Sequence, residues 1–286
     1  MTDRILRNTA PTLQATFYIG ETATPPSPNT ATVTVTRADG TAIVTGAAAT
    51  NAGTGIFSYV LDETYTANLD LLTLDWTATF SGNPQVVRTY CEIVGGFYVS
   101  LAEIRALPGL SSTTSFTTAT LGSARNWFED LAEEFCGVAF VPRYGRELFD
   151  GCGQNTIRLK GRGVHQLRKL LSVKVDGVSK TLTDFVSYPT GKVYWKAGSF
   201  STGYQNVEIN YEHGHDKPDE DLRQAALAAI QTKLLGDMSG IPDRAISMTT
   251  DTGTYGLSLA GAERPTGIPA VDAVLKRKNE RLPLTA

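Results

Sequence analysis

The sequence predicts an α+β chain: an all-β sandwich followed by a helical unit that carries a β insertion. Three observations predict it. Polar and apolar residues alternate with period two through much of residues 10–95, as half-buried strands require. Apolar residues then fall at helical spacing over about 119–136, and an alanine-rich helix pattern follows at about 218–236. The charge is also uneven, with 4 basic and 8 acidic side chains in residues 1–96 against 22 and 21 in residues 97–286. That shift in composition, with Gly95-Gly96 as the expected hinge, places one unit at 1–96 and a second at 97–286.

The 286 residues are enough for two units, and an apolar fraction of 41% suits globular folding. No apolar run approaches the roughly 20 residues of a membrane helix, so no membrane partner is expected. Met1-Thr2-Asp3-Arg4 is followed by no apolar segment, and no secretory leader is predicted. A net charge of −3 provides no global field for nucleic acid or an anionic membrane. Cys91, Cys136 and Cys152 form a sparse, odd set without a CxxC, as in a reducing compartment.

In the first unit, Thr32-Val33-Thr34-Val35-Thr36 and Leu72 to Phe80 alternate strictly. Pro25 to Pro28, Asp39-Gly40, Gly53 to Gly55 and Ser81 to Pro84 separate the runs, and Asp39-Gly40 signals a hairpin. Six or seven short strands in this length predict an immunoglobulin-like sandwich in architecture, without the Cys…Trp…Cys hallmark of antibody domains. Phe17, Tyr18, Phe57, Tyr59, Trp76 and Phe80 lie in alternating strands and are expected mostly in the core.

In the second unit, Ser100-Leu-Ala-Glu103 is a capping box for a helix over about 100–107, ended by Pro108. Leu121, Ala124, Phe128, Leu131, Ala132 and Phe135 make the stripe of the next helix, with Arg125 and Glu129 expected on its wet face. Strand signals resume over about 144–213. Asp216 is the expected cap of the helix at 218–236, whose first turn is acidic. Ala225, Ala226 and Ala229 leave that helix smooth, suited to close packing within a subunit or between subunits of a ring. A hairpin at about 246–259 precedes a last helix at about 269–279. This helix ends in Lys276-Arg277-Lys278, and the chain leaves through Arg281-Leu282-Pro283-Leu284-Thr285-Ala286. A basic helix end followed by an apolar, proline-locked tail reads as something another chain receives.

Catalytic signals are weak. His213-Gly-His215-Asp216 lies in a turn and declares no fourth metal ligand, so no metal or cofactor is expected. Asp251-Thr252-Gly253 matches an aspartic-protease triplet, but a polar Met248-Thr249-Thr250 leads into it and a hairpin turn suits it better. The lone GxG pieces at 151–153 and 161–163 do not continue into a phosphate loop. No enzyme is predicted. Arg143, Arg146, Arg158, Lys160, Arg162, Arg168 and Lys169 form a basic stretch opposed in sequence only by Glu147 and Asp150. It reads either as a solvated loop or as a surface for phosphate or an acidic partner.

Taken together, SLAEIRAL at 100–107, Trp127-Phe128, ALAAIQTKLLGD at 226–237, SMTTDTGTYGLSLA at 247–260 and the final IPAVDAVLKRKNE helix resemble a head-to-tail connector (adaptor) protein of a long-tailed bacteriophage. The resemblance covers about two thirds of the chain and implies a virion protein made in the host cytoplasm and placed in the neck. It implies a homo-oligomeric ring, expected to be a dodecamer, beneath the portal vertex. The C-terminal segment, with Lys276, Arg277, Lys278, Arg281, Leu282, Pro283 and Leu284, would dock on the portal protein. A stopper or tail-terminator protein would bind the other face, and DNA would pass through the lumen without sequence specificity. Arg158, Lys160 and Arg162 would face the lumen or the tail side, and Ala225, Ala226 and Ala229 would pack the ring. The alternative is a phage surface protein whose β-sandwich binds carbohydrate.

Overall fold

The structure is a computed structural model that describes residues 3–160, 166–236, 261 and 264–279, together with the backbone of 247–250 and 253–256. The chain is α+β and mostly strand. It begins with β1 (Asp3–Leu6), β2 (Thr12–Thr16), β3 (Tyr18–Ile19), β4 (Thr22–Ala23), β5 (Ala31–Thr36) and β6 (Ala42–Gly53), then β7 (Ile56–Val60), β8 (Asp70–Phe80) and β9 (Asn83–Val94). Seven of these form one sheet in the order β1-β9-β8-β5-β6-β7-β2, and β3 pairs with β4 apart from it. Twelve-residue β6 turns the sheet back on itself, because Ala42–Ala49 pair with β5 while Thr50–Gly53 pair with β7. The curl encloses Phe17, Val33, Val35, Phe57, Leu72, Leu74 and Trp76, all buried. Period two is the cause: Leu72, Leu74 and Trp76 point inward, while Thr73, Asp75 and Thr77 do not. The buried Trp76 indole N–H donates to Thr89 Oγ1 at 3.0 Å. Asp39-Gly40 turns the chain between β5 and β6 at a glycine φ of 88°, a region open to glycine. Of the six aromatic residues singled out here, Phe17, Phe57, Trp76 and Phe80 are core, Tyr59 is half-buried and Tyr18 is exposed.

At Gly95 the chain passes close to another segment. A Cβ there would lie 2.5 Å from Pro142 Cβ, and Gly95 N–H donates to Pro142 O at 2.9 Å. The glycine therefore supplies space where two backbones meet.

The helices are α1 (Leu101–Arg105), α2 (Thr118–Cys136), α3 (Glu220–Gly236) and α4 (Pro269–Arg277). The Ser100/Glu103 capping box forms at the start of α1. Thr117 caps α2, and Gly137 ends it in the left-handed conformation. Leu121, Phe128, Ala132, Ile230, Val271 and Leu275 build the helical core. Ala225, Ala226 and Ala229 of α3 are buried in that same core at 5%, 0% and 1% exposure. They let α3 pack against α1, α2 and α4, the intramolecular one of the two uses that smoothness allows. Among the described residues no helix is long and apolar enough to cross a membrane.

Between α2 and α3 lie β10 (Arg143–Gly151), β11 (Thr156–Arg158), β12 (Leu167–Val175), β13 (Val178–Ser179), β14 (Phe185–Ser187), β15 (Lys192–Trp195) and β16 (Gly203–His213). They form a four-stranded sheet, β10-β16-β12-β13, and a three-stranded one, β11-β15-β14. Val173, Val193, Phe200, Val207 and Ile209 fill the space between them. A hairpin of β17 (Ser247–Thr250) and β18 (Gly253–Gly256) precedes α4, and Asp251 lies outside the described residues.

Two expectations are corrected. Arg125 and Glu129 do not face water; they are 7% and 0% exposed, because the side of α2 opposite its apolar stripe is covered by the N-terminal sheet and β10. Asp216 does not cap α3, which starts four residues later; its carboxylate pairs with Arg168 at 2.6 Å.

Leu275→Ala should cost about 2–5 kcal/mol, since this fully buried side chain fills the helical core, and urea unfolding measures it. Thiol labelling of the native chain should stop at Cys152. That residue is exposed, whereas Cys136 is buried and burial pushes the Cys91 thiol up to about 12. Unfolding should release all three thiols.

Candidate functional site

The densest constellation of charge lies where the N-terminal sheet meets α2. Arg125, Glu129 and Glu133 fall at i, i+4 spacing on one helix face and share that side with Asn126. β1 brings Arg4, β9 brings Glu92 and the start of β10 brings Arg143. Arg4 donates from Nε to Glu92 Oε2 at 3.0 Å, from Nη1 to Glu129 Oε2 at 3.1 Å and from Nη2 to Asp130 Oδ1 at 2.5 Å. Arg143 donates from Nη2 to Glu129 Oε2 at 2.7 Å and from Nε to Glu133 Oε1 at 2.9 Å. The Tyr98 backbone N–H closes the set on Glu129 Oε1 at 2.8 Å.

Burial works against the Arg143 charge, but Glu133, Glu92 and Glu129 outweigh it and raise its affinity for its proton. Burial is the main cause that raises the Glu133 carboxyl, with Arg143 and Arg4 pulling the other way. Tyr98 is pushed well above the usual tyrosine range, first by burial and then by the two glutamates. Perturbed groups of this kind mark catalytic sites as well as structural ion networks. Here the carboxylates are held by guanidinium groups and Glu129 is fully buried, so the arrangement is a fastening rather than a reacting centre.

The basic end of α4 is also engaged within the chain. Arg277 pairs with Asp221 at 3.2 Å, and Lys278 pairs with Asp219 and, at 3.6 Å, with Asp221. The positive end of α4 thus meets the acidic first turn of α3, which suits both helix dipoles. Lys276 is exposed, and the Arg277 side chain is 66% exposed. Arg281, Leu282, Pro283 and Leu284 lie outside the described residues.

The stretch 143–169 is not one positive surface. Arg143 is buried in the network above. Arg146 pairs with Glu208 at 2.9 Å, and Arg168 and Lys169 reach Glu212 at 2.9 and 3.7 Å. The cause is register: β16 sits between β10 and β12 and presents Glu208 and Glu212 to both. Arg158 and Lys160 are exposed, and Arg162 lies outside the described residues. His213 is buried, and His215 stacks on Phe140 at 5.7 Å. Among the described residues no three His, Cys, Asp or Glu side chains are grouped to hold a metal.

The network at α2 escaped sequence reasoning. Its visible trace is the polar set Arg125, Asn126, Glu129 and Glu133 at helical spacing, and nothing local pairs it with Arg4, more than 120 residues away. A cleft of ≈ 190 Å³ between the two β regions holds Arg37, Asp70, Tyr144 and Asn210, and its polar groups pair within each wall, Arg37 to Asp70 at 2.7 Å and Tyr144 to Asn210 at 2.8 Å.

No protein-family model and no curated protein matches the chain. Solved structures similar to it include chains of gene transfer agent particles. A chain from the neck of an empty gene transfer agent (GTA) particle, computed with C6 symmetry, is 15% identical, with a TM-score of 0.42 over 66% of this chain and 93% of that one. A chain from the virion of a native GTA particle is 14% identical, with a TM-score of 0.43 over 66% and 93%. A chain from the neck of a native GTA particle, computed with C12 symmetry, is 13% identical, with a TM-score of 0.39 over 68% and 98%. At such scores the likenesses decide neither function nor partner.

Arg143→Met should destabilise the chain by about 3–5 kcal/mol in urea unfolding, because it takes the guanidinium from buried Glu133 and one of the partners from buried Glu129. Lowering the pH should loosen α4. Hydrogen bonding from Lys278 holds the Asp219 carboxyl below its ordinary value of 3.8. Its contribution is full above that value and is lost as pH falls through the lower folded one. Protection of the α4 amides, relative to their intrinsic exchange rate at each pH, should therefore fall in acid, and Asp219→Asn should remove that response.

Proposed function

We propose that the chain is a structural protein of a phage-like virion that forms a ring in the neck, between portal and tail. The observation that carries this reading is the element order over residues 101–277. Two helices, a β insertion, a third helix, a hairpin and a last helix follow one another in the order implied by the resemblance to head-to-tail connectors. In this reading the ring is a dodecamer, DNA passes through its lumen without sequence specificity, and a stopper or tail-terminator protein binds the opposite face. Arg158 and Lys160 are exposed and available for the lumen or tail side, with Arg162 beside them in sequence. The protein is structural rather than catalytic.

Docking on the portal is assigned to the chain's C-terminal end. α4 is anchored at home by buried Val271 and Leu275, and its last turn carries Lys276, Arg277 and Lys278. Asp219 and Asp221 position two of these charges, while Arg277 keeps most of its surface open to an acidic partner. Arg281, Leu282, Pro283 and Leu284 follow, and proline limits the entropy lost when two leucines bury in a groove. A weak contact repeated around a ring gains strength through effective concentration. The curled sheet is read as an immunoglobulin-like unit carried on the outside of the ring. The carbohydrate reading loses its platform, since Phe17, Phe57, Trp76 and Phe80 are core.

The test is to mix the full chain with the portal protein of the same particle and image the product by negative stain. The proposal predicts a ring on the portal, and it predicts that a chain lacking residues 282–286 stays folded yet leaves the portal bare. Equal attachment by the truncated chain would remove the tail from the mechanism, and no ring with either form would overturn the neck assignment.

A further inference from the structure

The three-stranded sheet β11-β15-β14 has one face turned to the core and one turned to solvent. Phe185, Val193 and half-buried Ile157 pack inward. The alternate residues therefore point outward: Thr156 and Arg158 on β11, Lys192 and Tyr194 on β15, and Val186 on β14. Register sets Arg158 directly opposite Lys192 and Thr156 opposite Tyr194. A tight turn, with Gly191 at a φ of 75°, pairs Tyr188 with Lys192. The Lys192 ammonium lies 5.9 Å from the centre of the Tyr188 ring. Arg158, Lys160, Tyr188 and Lys192 are all exposed.

These cations differ from their neighbours in one respect. On the adjoining sheet, Arg146, Arg168 and Lys169 each have Glu208 or Glu212. Among the described residues, Arg158, Lys160 and Lys192 pair with no carboxylate, and the Tyr188 and Tyr194 hydroxyls have no partner. Glu147 lies beside Lys160, but it accepts from the Lys160 backbone N–H and from the Tyr211 hydroxyl. Like charges directly opposite on paired strands repel. Arg158 and Lys192 hold that position in a chain whose net charge is −3, and a polyanion laid across them would relieve the repulsion. Val186 is the one aliphatic side chain in this outward set, so the face lacks the apolar anchor that a protein partner needs. Separated cations with tyrosine hydroxyls between them suit a phosphodiester backbone instead.

We propose that this outward face is a sequence-independent contact for the backbone of double-helical DNA. Arg158, Lys160 and Lys192 neutralise phosphates, and Tyr188 and Tyr194 donate to phosphate oxygens beside them. The inference rests on the neck reading for the place where DNA is met, and it adds Lys192, Tyr188 and Tyr194 to the residues of that side. One subunit with these few charges binds weakly, and a ring repeats the contact.

The test uses the full chain alone, so its outcome is separate from ring formation on the portal. A fluorescent duplex of about 30 base pairs and mixed sequence is titrated by anisotropy between about 25 and 150 mM salt. Saturable binding is expected. The logarithm of its association constant should fall against the logarithm of salt with a slope of about −3, the value for three phosphates. Arg158→Gln and Lys192→Gln should each bring that slope about one unit closer to zero. Arg146→Gln should leave it unchanged, because Glu208 already holds that charge. Tyr194→Phe should weaken binding about threefold at an unchanged slope. Absence of saturable binding at the lowest salt, or a slope that Arg158→Gln and Lys192→Gln do not alter, overturns the proposal. Polyglutamate that displaces the probe as well as unlabelled duplex does, at equal charge, would put an acidic protein on the face and overturn it too. A thermal scan gives an independent reading. Arg158→Gln and Lys192→Gln should melt at or above the temperature of the unmodified chain, because each removes a like-charge pair. A clear fall in both would show that the charges serve folding and would overturn the assignment. Failure here while a ring still forms on the portal removes this contact and leaves the neck reading in place.

Discussion

The Glu129 carboxylate is the point through which the separate parts of this chain are joined. It is fully buried on α2, and it accepts hydrogen bonds from Arg4 on β1, Arg143 on β10 and the backbone of Tyr98. One anion therefore ties the N-terminal sheet, the connecting segment and the β insertion to the longest helix. A buried ion network of this kind adds little net stability over an apolar one of the same shape, because desolvation offsets the attraction. Its effect lies in specificity. An arrangement of sheet, helix and insertion that moved Arg4 or Arg143 away from Glu129 would leave buried charge uncompensated.

The same rule governs the charges outside the network. β16 lies between β10 and β12, so Glu208 and Glu212 stand beside Arg146, Arg168 and Lys169. Arg7 also reaches Glu212 at 3.6 Å, and Lys174 reaches Asp39 at 3.6 Å across to the N-terminal sheet. A stretch that is basic in sequence thus becomes a set of cross-strand pairs. At the other end, α4 meets α3 through Arg277, Lys278, Asp219 and Asp221. The exposed ones among these pairs, such as Arg277 with Asp221, are individually weak. They orient elements whose cohesion comes from the three apolar cores.

Local features were legible in the sequence because local physics determines them. The alternation of Leu72 to Phe80 marks a half-buried strand, Asp39-Gly40 marks a turn, and Ser100 with Glu103 marks a helix start; each forms. What did not show was pairing across distance. Arg125 and Glu129 look like a solvent-side pair at i, i+4, and only the arrival of Arg4 and Arg143 makes that face an interior. Asp216 looks like a cap, but Arg168 takes it. The curl of the N-terminal sheet depends on β6 changing partners midway, and its composition of Ala, Thr and Gly does not announce the change. The outward face of β11, β15 and β14 was hidden for the same reason, since Lys192 meets Arg158 only through strand pairing.

The neck reading needs a subunit whose N-terminal sheet and helical unit act as one body, so that contacts made at one end hold the other in register. Native-state amide hydrogen exchange at Tyr98 tests this most directly, because its N–H is bound to Glu129 at the centre of the joint. The Tyr98 amide is predicted to exchange only with global unfolding. In Arg4→Met, exchange at Tyr98 and along β1 is predicted to accelerate together. Rapid exchange at Tyr98 in the unmodified chain, or exchange that Arg4→Met leaves unchanged, would contradict the account.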